Sequence, residues 1–159
     1  MILQSISVLN DCDMIITARD TVLAAIAECR GGGSFIRWFV CNTATRSSRG
    51  VHWVLAFYDD VNNNVTLYDS LSNYNGTKQL SSSIAAFLPC VIKSLGVQRD
   101  GNSCGSWCLV MHHVFCTLRQ TLPSASTLSE EELSNSIGTV LGITSPWDWC
   151  NNNFKIPDE

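Results

Sequence analysis

The 159-residue chain predicts an α+β domain, a small and mostly antiparallel sheet flanked by helices. Three observations carry that prediction. Short β-rich runs at 35–42, 52–58 and 65–68 are joined by polar loops and turns, as neighbouring antiparallel strands are. Segments of helical character lie on both sides of them, one ending at Gly31-Gly32-Gly33 and one opening near Cys104. The 45% hydrophobic content supports one core, and the length is short for two, so residues 1–159 read as a single domain.

Taken in order, Asn10 and Asp11 are placed to cap a helix running from about Asp13 to Arg30. Its apolar face would carry Ile15, Val22, Leu23 and Ile26, and the three glycines end it. A strand over Phe35–Asn42 and a polar loop to Gly50 follow. His52–Tyr58 and Val65–Tyr68 read as a hairpin around an Asp- and Asn-rich turn, with Asp69 at its far end. Ser83–Leu88 is a short helix candidate and Cys90–Val97 another strand. A Gly- and Asn-rich turn leads into Cys104, and Gly105–Arg119 reads as a buried helix. The last helix opens at Ser129 and runs to about Leu141, and the tail carrying Trp147 and Trp149 is expected to pack onto the body.

Composition excludes several functions. The net charge is −4 and the 10 Lys and Arg are scattered, so no basic run tracks a phosphate backbone and no nucleic-acid partner is expected. No segment approaches the ~20 apolar residues that span a bilayer. Met1–Asn10 lacks the features of a secretory signal, so the eight cysteines read as reduced thiols. The acceptor patterns at Asn64 and Asn75 carry little weight without export.

The chemistry concentrates in His52-Trp53, in Tyr68 to Asn73, and in Gln98 to Gly105. A thiol attacks well only as thiolate, and an ordinary thiol is mostly protonated at neutral pH. Cys104 stands where a turn becomes a helix, so the positive end of the helix dipole faces its sulfur. An up-and-back hairpin brings His52 and Asp69 side by side, where the carboxylate would fix the imidazole and the imidazole would take the thiol's proton. Gln98 adds an amide donor which, with the Cys104 backbone N–H, makes an oxyanion hole. Singly, each residue has an ordinary structural reading. The joint pattern is what points to a cysteine nucleophile.

A metal site is the competing pattern, since Cys104, Cys108, His112 and Cys116 recur every four residues. On a helix that row drifts by about 40° per step, and one helix does not wrap four ligands around a zinc ion. No metal and no cofactor are expected. Cys108, Val110, Met111, Val114, Phe115 and Leu118 read instead as the buried face of the helix.

His52-Trp53, Asp69-Ser70-Leu71 and Gln98 with Cys104-Gly105 resemble the SUMO-specific (sentrin-specific) cysteine proteases. Their clan, CE, also holds the adenoviral protease and bacterial effector deubiquitinases. The order His, Asp, Gln, Cys and the gapless seventeen positions from His52 to Asp69 match that family. Leu9-Asn10-Asp11 resembles its entry to the first helix, so the resemblance spans about Leu9 to Leu118.

The resemblance implies the papain-like clan CE fold and cleavage after the Gly-Gly end of SUMO, ubiquitin or a relative. It implies His52, Asp69, Gln98 and Cys104 as catalytic residues. Trp53, Val8, Asn10, Asp11, Ser103 and Gly105 would contact substrate. The family's lid tryptophan is replaced by Val8, its common Asp before the nucleophile by Ser103, and the link from first helix to first strand is shorter. The expected partner is a ubiquitin-like modifier and its conjugates, met by a monomer in the cytoplasm or nucleus, or in a host cell by a secreted effector. Acetyl transfer by the same triad and a catalytically inactive binding module are the alternatives.

Overall fold

The computed structural model describes residues 2–3, 14–33, 36–44, 52–121, 128–141 and 146–153. Its strands form one sheet in chain order: β1 (Ile2–Leu3), β2 (Met14–Thr17), β3 (Trp38–Asn42), β4 (Trp53–Asp59), β5 (Asn64–Asp69) and β6 (Cys90–Ser94). The helices are α1 (Arg19–Arg30), α2 (Asn75–Ala85), α3 (Cys104–Thr121), α4 (Glu130–Leu141) and α5 (Pro146–Asn153).

The α+β expectation holds, and the sheet is mixed. β1–β2, β3–β4 and β4–β5 are antiparallel, whereas β2–β3 and β5–β6 are parallel. The parallel pairs arise where α1 and α2 carry the chain back across the sheet, the connection parallel neighbours require. Met14–Thr17 corrects the expected first helix. That segment is β2, paired with Trp38–Cys41, and α1 begins only at Arg19 with Ala18 as its N-cap. Ile15 therefore belongs to a strand, while Val22 and Ile26 are fully buried on α1 as expected. Asn10 and Asp11, the expected caps, lie outside the described residues. A second correction is α2, which starts at Asn75 rather than near Ser83; Thr77, Leu80 and Ile84 form its buried face.

Both faces of the sheet are covered. Leu55, Phe57 and Tyr68 join Trp107, Met111 and Val114 of α3 in one core, together with Leu133 and Ile137 of α4. Val54, Ala56, Tyr58, Val65 and Leu67 point the other way, against Val22 and Ile26 of α1 and Leu80 and Ile84 of α2. Strands covered on both faces carry apolar residues continuously, which is why Trp38–Cys41 shows no alternation.

At the β4–β5 turn, the Asp59 carboxylate accepts the N–H groups of Val61 and Asn62, and Asn63 takes a left-handed φ of 52°. This turn fixes the register Leu55 to Tyr68, so the start of β4 lies beside the end of β5. The tail packs as expected: the Trp149 ring lies 5.1 Å from His113.

Candidate active site

His52 sits just before β4, held by a hydrogen bond from the Thr43 N–H to its carbonyl (3.0 Å). Asp69 is the last residue of β5. The register therefore brings them together: His52 Nε2 lies 2.7 Å from Asp69 Oδ1, with only 2% and 1% of the two residues exposed. Oδ1 also accepts the Leu71 N–H (2.9 Å), and Oδ2 accepts the Thr77 hydroxyl (2.6 Å). With Nε2 turned to the carboxylate, Nδ1 is left for the Cys104 thiol, the other hydrogen-bond partner of the ring. The Tyr74 ring lies 4.5 Å from the imidazole.

Cys104 is the first residue of α3 and is 5% exposed. Burial raises its pKa, but it is outweighed by the His52 hydrogen bond, the Trp53 N–H, the His52 charge and the Gly105 N–H, and the thiol titrates below its ordinary range. Burial lowers the His52 pKa, yet hydrogen bonds to Asp69 and Cys104, with the charges of both, carry it up to about 9. The two shifts act in the same sense, toward a thiolate beside an imidazolium.

The remaining cysteines set Cys104 apart. Burial pushes Cys41 up to about 12 and raises Cys90, Cys108 and Cys150. Cys116 is held in a disulfide, a departure from the all-reduced expectation. His112 Nε2 lies 3.5 Å from Cys116 Sγ and its ring meets the edge of Trp38, so the row along α3 is packed into the core. Among the described residues no group of three or more His, Cys, Asp or Glu is gathered around a common point that would hold a metal ion.

Gln98 lies between β6 and α3, and its backbone N–H donates to Ser70 O (3.0 Å). Its side chain meets Ser70 Oγ through Oε1 (2.6 Å) and Asp100 O through Nε2 (2.8 Å). The turn before α3 is organised by the Asp100 carboxylate rather than by Gly101, whose φ is not left-handed. Asp100 Oδ1 accepts the N–H groups of Asn102 and Ser103, and Oδ2 accepts the Ser103 hydroxyl (2.9 Å). The Asn102 N–H, followed by the two Ser103 donors, holds Asp100 below the usual carboxylate range. Ser103 is thus buried and engaged inward. Trp53 is half-buried, with its ring edge 3.9 Å from where a Cβ on Gly105 would stand.

The fold thus gathers His52, Asp69 and Cys104 in one hydrogen-bonded row and ties Gln98 to its flank through Ser70. Trp53 and Gly105 border the same helix start, and Val8, Asn10 and Asp11 lie outside the described residues. Thr77 and Tyr74 escape sequence reasoning, and Ser70 enters it only as part of the Asp69-Ser70-Leu71 motif. Only the helix over 75–85 brings Thr77 and Tyr74 to the site, and its residues are too polar to announce it.

No family model matches the chain, and no curated protein matches it significantly. Among solved structures it is similar to AvrA delL154 with IP6 and CoA, at a TM-score of 0.55 and 17% identity over 79% of this chain. It spans about half of AvrA, 49% of that chain. XopD, an effector of Xanthomonas campestris solved bound to ubiquitin, gives a TM-score of 0.43 at 14% identity, covering 78% and 77% of the two chains. ChlaDub1 of Chlamydia trachomatis gives 0.29 at 20% identity, covering 77% and 52%. The AvrA likeness establishes the fold class: an α+β domain with a helix laid across a mixed sheet.

Proposed function

We propose that the chain is a cysteine peptidase that cleaves after the C-terminal Gly-Gly of a ubiquitin-like modifier, in deconjugation or precursor processing. The observation that carries this reading is the buried row in which His52, just before β4, lies 2.7 Å from Asp69 and hydrogen-bonds Cys104 at the start of α3. In that row the thiol is lowered in pKa and the histidine raised to about 9. The motif set around His52, Asp69, Gln98 and Cys104 supports the modifier as substrate. The half-buried Trp53 beside Gly105 supports a narrow slot suited to glycine.

In this mechanism the Cys104 thiolate attacks the carbonyl carbon of the terminal glycine. The Gln98 amide and the Cys104 N–H stabilise the oxyanion. His52 gives its proton to the leaving amine as the C–N bond breaks, leaving a thioester on Cys104. Water, deprotonated by His52, then hydrolyses the thioester and frees the modifier's carboxylate. Asp69 holds the ring in place throughout. Such an enzyme would meet its conjugates in the cytoplasm or nucleus, its own or a host's.

The test is a panel of modifier probes carrying a C-terminal electrophile, applied to the chain and to Cys104→Ala. Labelling of the chain by at least one probe, lost in Cys104→Ala, is expected. No labelling overturns the modifier reading, and labelling that survives the substitution overturns the nucleophile.

One observation favours a second reading: AvrA was solved with CoA. Acetyl transfer would use the same thiolate and leave an acetylated Cys104 after incubation with acetyl-CoA. Against it, a polyanionic activator needs a basic pocket, whereas the C-terminal half holds only Lys93, Arg99, Arg119 and Lys155. An inactive binding module would be expected to have lost at least one of the four catalytic residues.

A further inference from the structure

The orientation of the Gln98 amide follows from its neighbours. A backbone carbonyl only accepts, so the atom 2.8 Å from Asp100 O is Nε2 and donates. That leaves Oε1 toward Ser70, whose hydroxyl must then be the donor at 2.6 Å. Gln98 is also tied by its backbone N–H to Ser70 O, so one residue holds both its main chain and its side chain. Ser70 is fully buried and Gln98 is 7% exposed, so water does not replace this clamp. The second N–H of the Gln98 amide makes no hydrogen bond among the described residues. It is the one donor this side chain has left for an incoming charge.

We propose that Ser70 is a positioning residue that aims the spare Gln98 N–H at the oxyanion. The proposal rests on the cysteine-peptidase reading above. Without the Ser70 donor, Oε1 loses its partner and the amide gains rotational freedom about its last torsion. Its spare N–H then points at the developing charge only part of the time, so the loss falls in the transition state and not in substrate binding. Ser70 follows Asp69 directly, so one end of β5 sets both the carboxylate behind the histidine and the amide at the oxyanion.

The experiment compares Ser70→Ala, Gln98→Ala and the double variant on a modifier substrate, with alkylation of Cys104 by iodoacetamide read by mass spectrometry. Alkylation makes no tetrahedral oxyanion and reports whether the thiolate and its histidine are intact. The expected result is a loss of about tenfold to a hundredfold in kcat for Ser70→Ala. KM and the alkylation rate should stay within about twofold, and no further loss should appear when Ser70→Ala is added to Gln98→Ala. Ser70→Thr, which keeps the hydroxyl, should retain kcat within about threefold, and it carries the test if Ser70→Ala fails to fold. An unchanged kcat in Ser70→Ala overturns the proposal, as does an equal loss in both backgrounds or a parallel fall in alkylation. A Ser70→Thr loss as deep as that of Gln98→Ala also overturns it. Turnover that persists in Cys104→Ala overturns the peptidase reading itself, which is a separate result.

Discussion

The raised His52 and lowered Cys104 set a pH window. The thiolate is present above the lowered Cys104 value, and the imidazolium persists until pH passes about 9. Alkylation of Cys104 should therefore set in at lower pH than that of an ordinary thiol, and kcat/KM should fall as pH rises through about 9. The histidine's stabilising contribution is complete below the ordinary imidazole value and is lost as pH rises through about 9. Asp69→Asn keeps an acceptor oxygen but removes the charge that helps raise His52, so the alkaline limb should move down toward neutrality. A pH–rate profile measures this, and an unmoved limb would show that the carboxylate does not set the base. These residues were legible in the sequence because nucleophilic chemistry uses few residue types. The aids Thr77 and Tyr74 were not, because a buried hydroxyl or ring carries no chemistry of its own until folding gives it a partner.

Among the elements, α2 matters more to the site than its composition suggests. Its first turn donates the Thr77 hydroxyl to Asp69 Oδ2, with Thr77 itself 1% exposed. Thr77→Val keeps the shape and removes the donor, so it should cost about 1.5–3 kcal/mol in urea unfolding and lower kcat/KM. A variant as stable and active as the parent would show that the Leu71 N–H and His52 suffice to hold the carboxylate. The sequence of α2, rich in Ser, Asn and Gly, has weak intrinsic helix preference; burial of Leu80 and Ile84 one turn apart decides its form. β2 escaped for the opposite reason. Its apolar run, MIIT, lacks alternation and flows almost directly into α1, so length and capping were the only cues and both pointed to one longer helix.

At the scale of the molecule, two apolar layers lie on opposite faces of the sheet, with fully buried Met111 on one side and Ile84 on the other. Met111→Ala and Ile84→Ala should each cost about 2–5 kcal/mol. Because the sheet separates them, the two losses should add to within about 0.5 kcal/mol in denaturant unfolding. A large coupling would mean that the sheet transmits strain between its faces. The layered architecture was legible from segment types and order; the two parallel pairings were not, because pattern alone does not reveal strand direction.

The strands lie in space in the order in which they occur along the chain. Each new strand can therefore dock beside its predecessor across a connection that closes at modest entropic cost. Growing from its N-terminus, the chain completes the histidine and its carboxylate when β5 pairs with β4, and finishes the sheet at Ser94. Cys104 follows ten residues later on the helix that caps this surface. The sulfur therefore meets the histidine only where α3 docks on this sheet, and apart from that contact the thiol keeps its ordinary, mostly protonated state. Reactivity becomes a property of the finished fold, withheld from every shorter stretch of the nascent polypeptide.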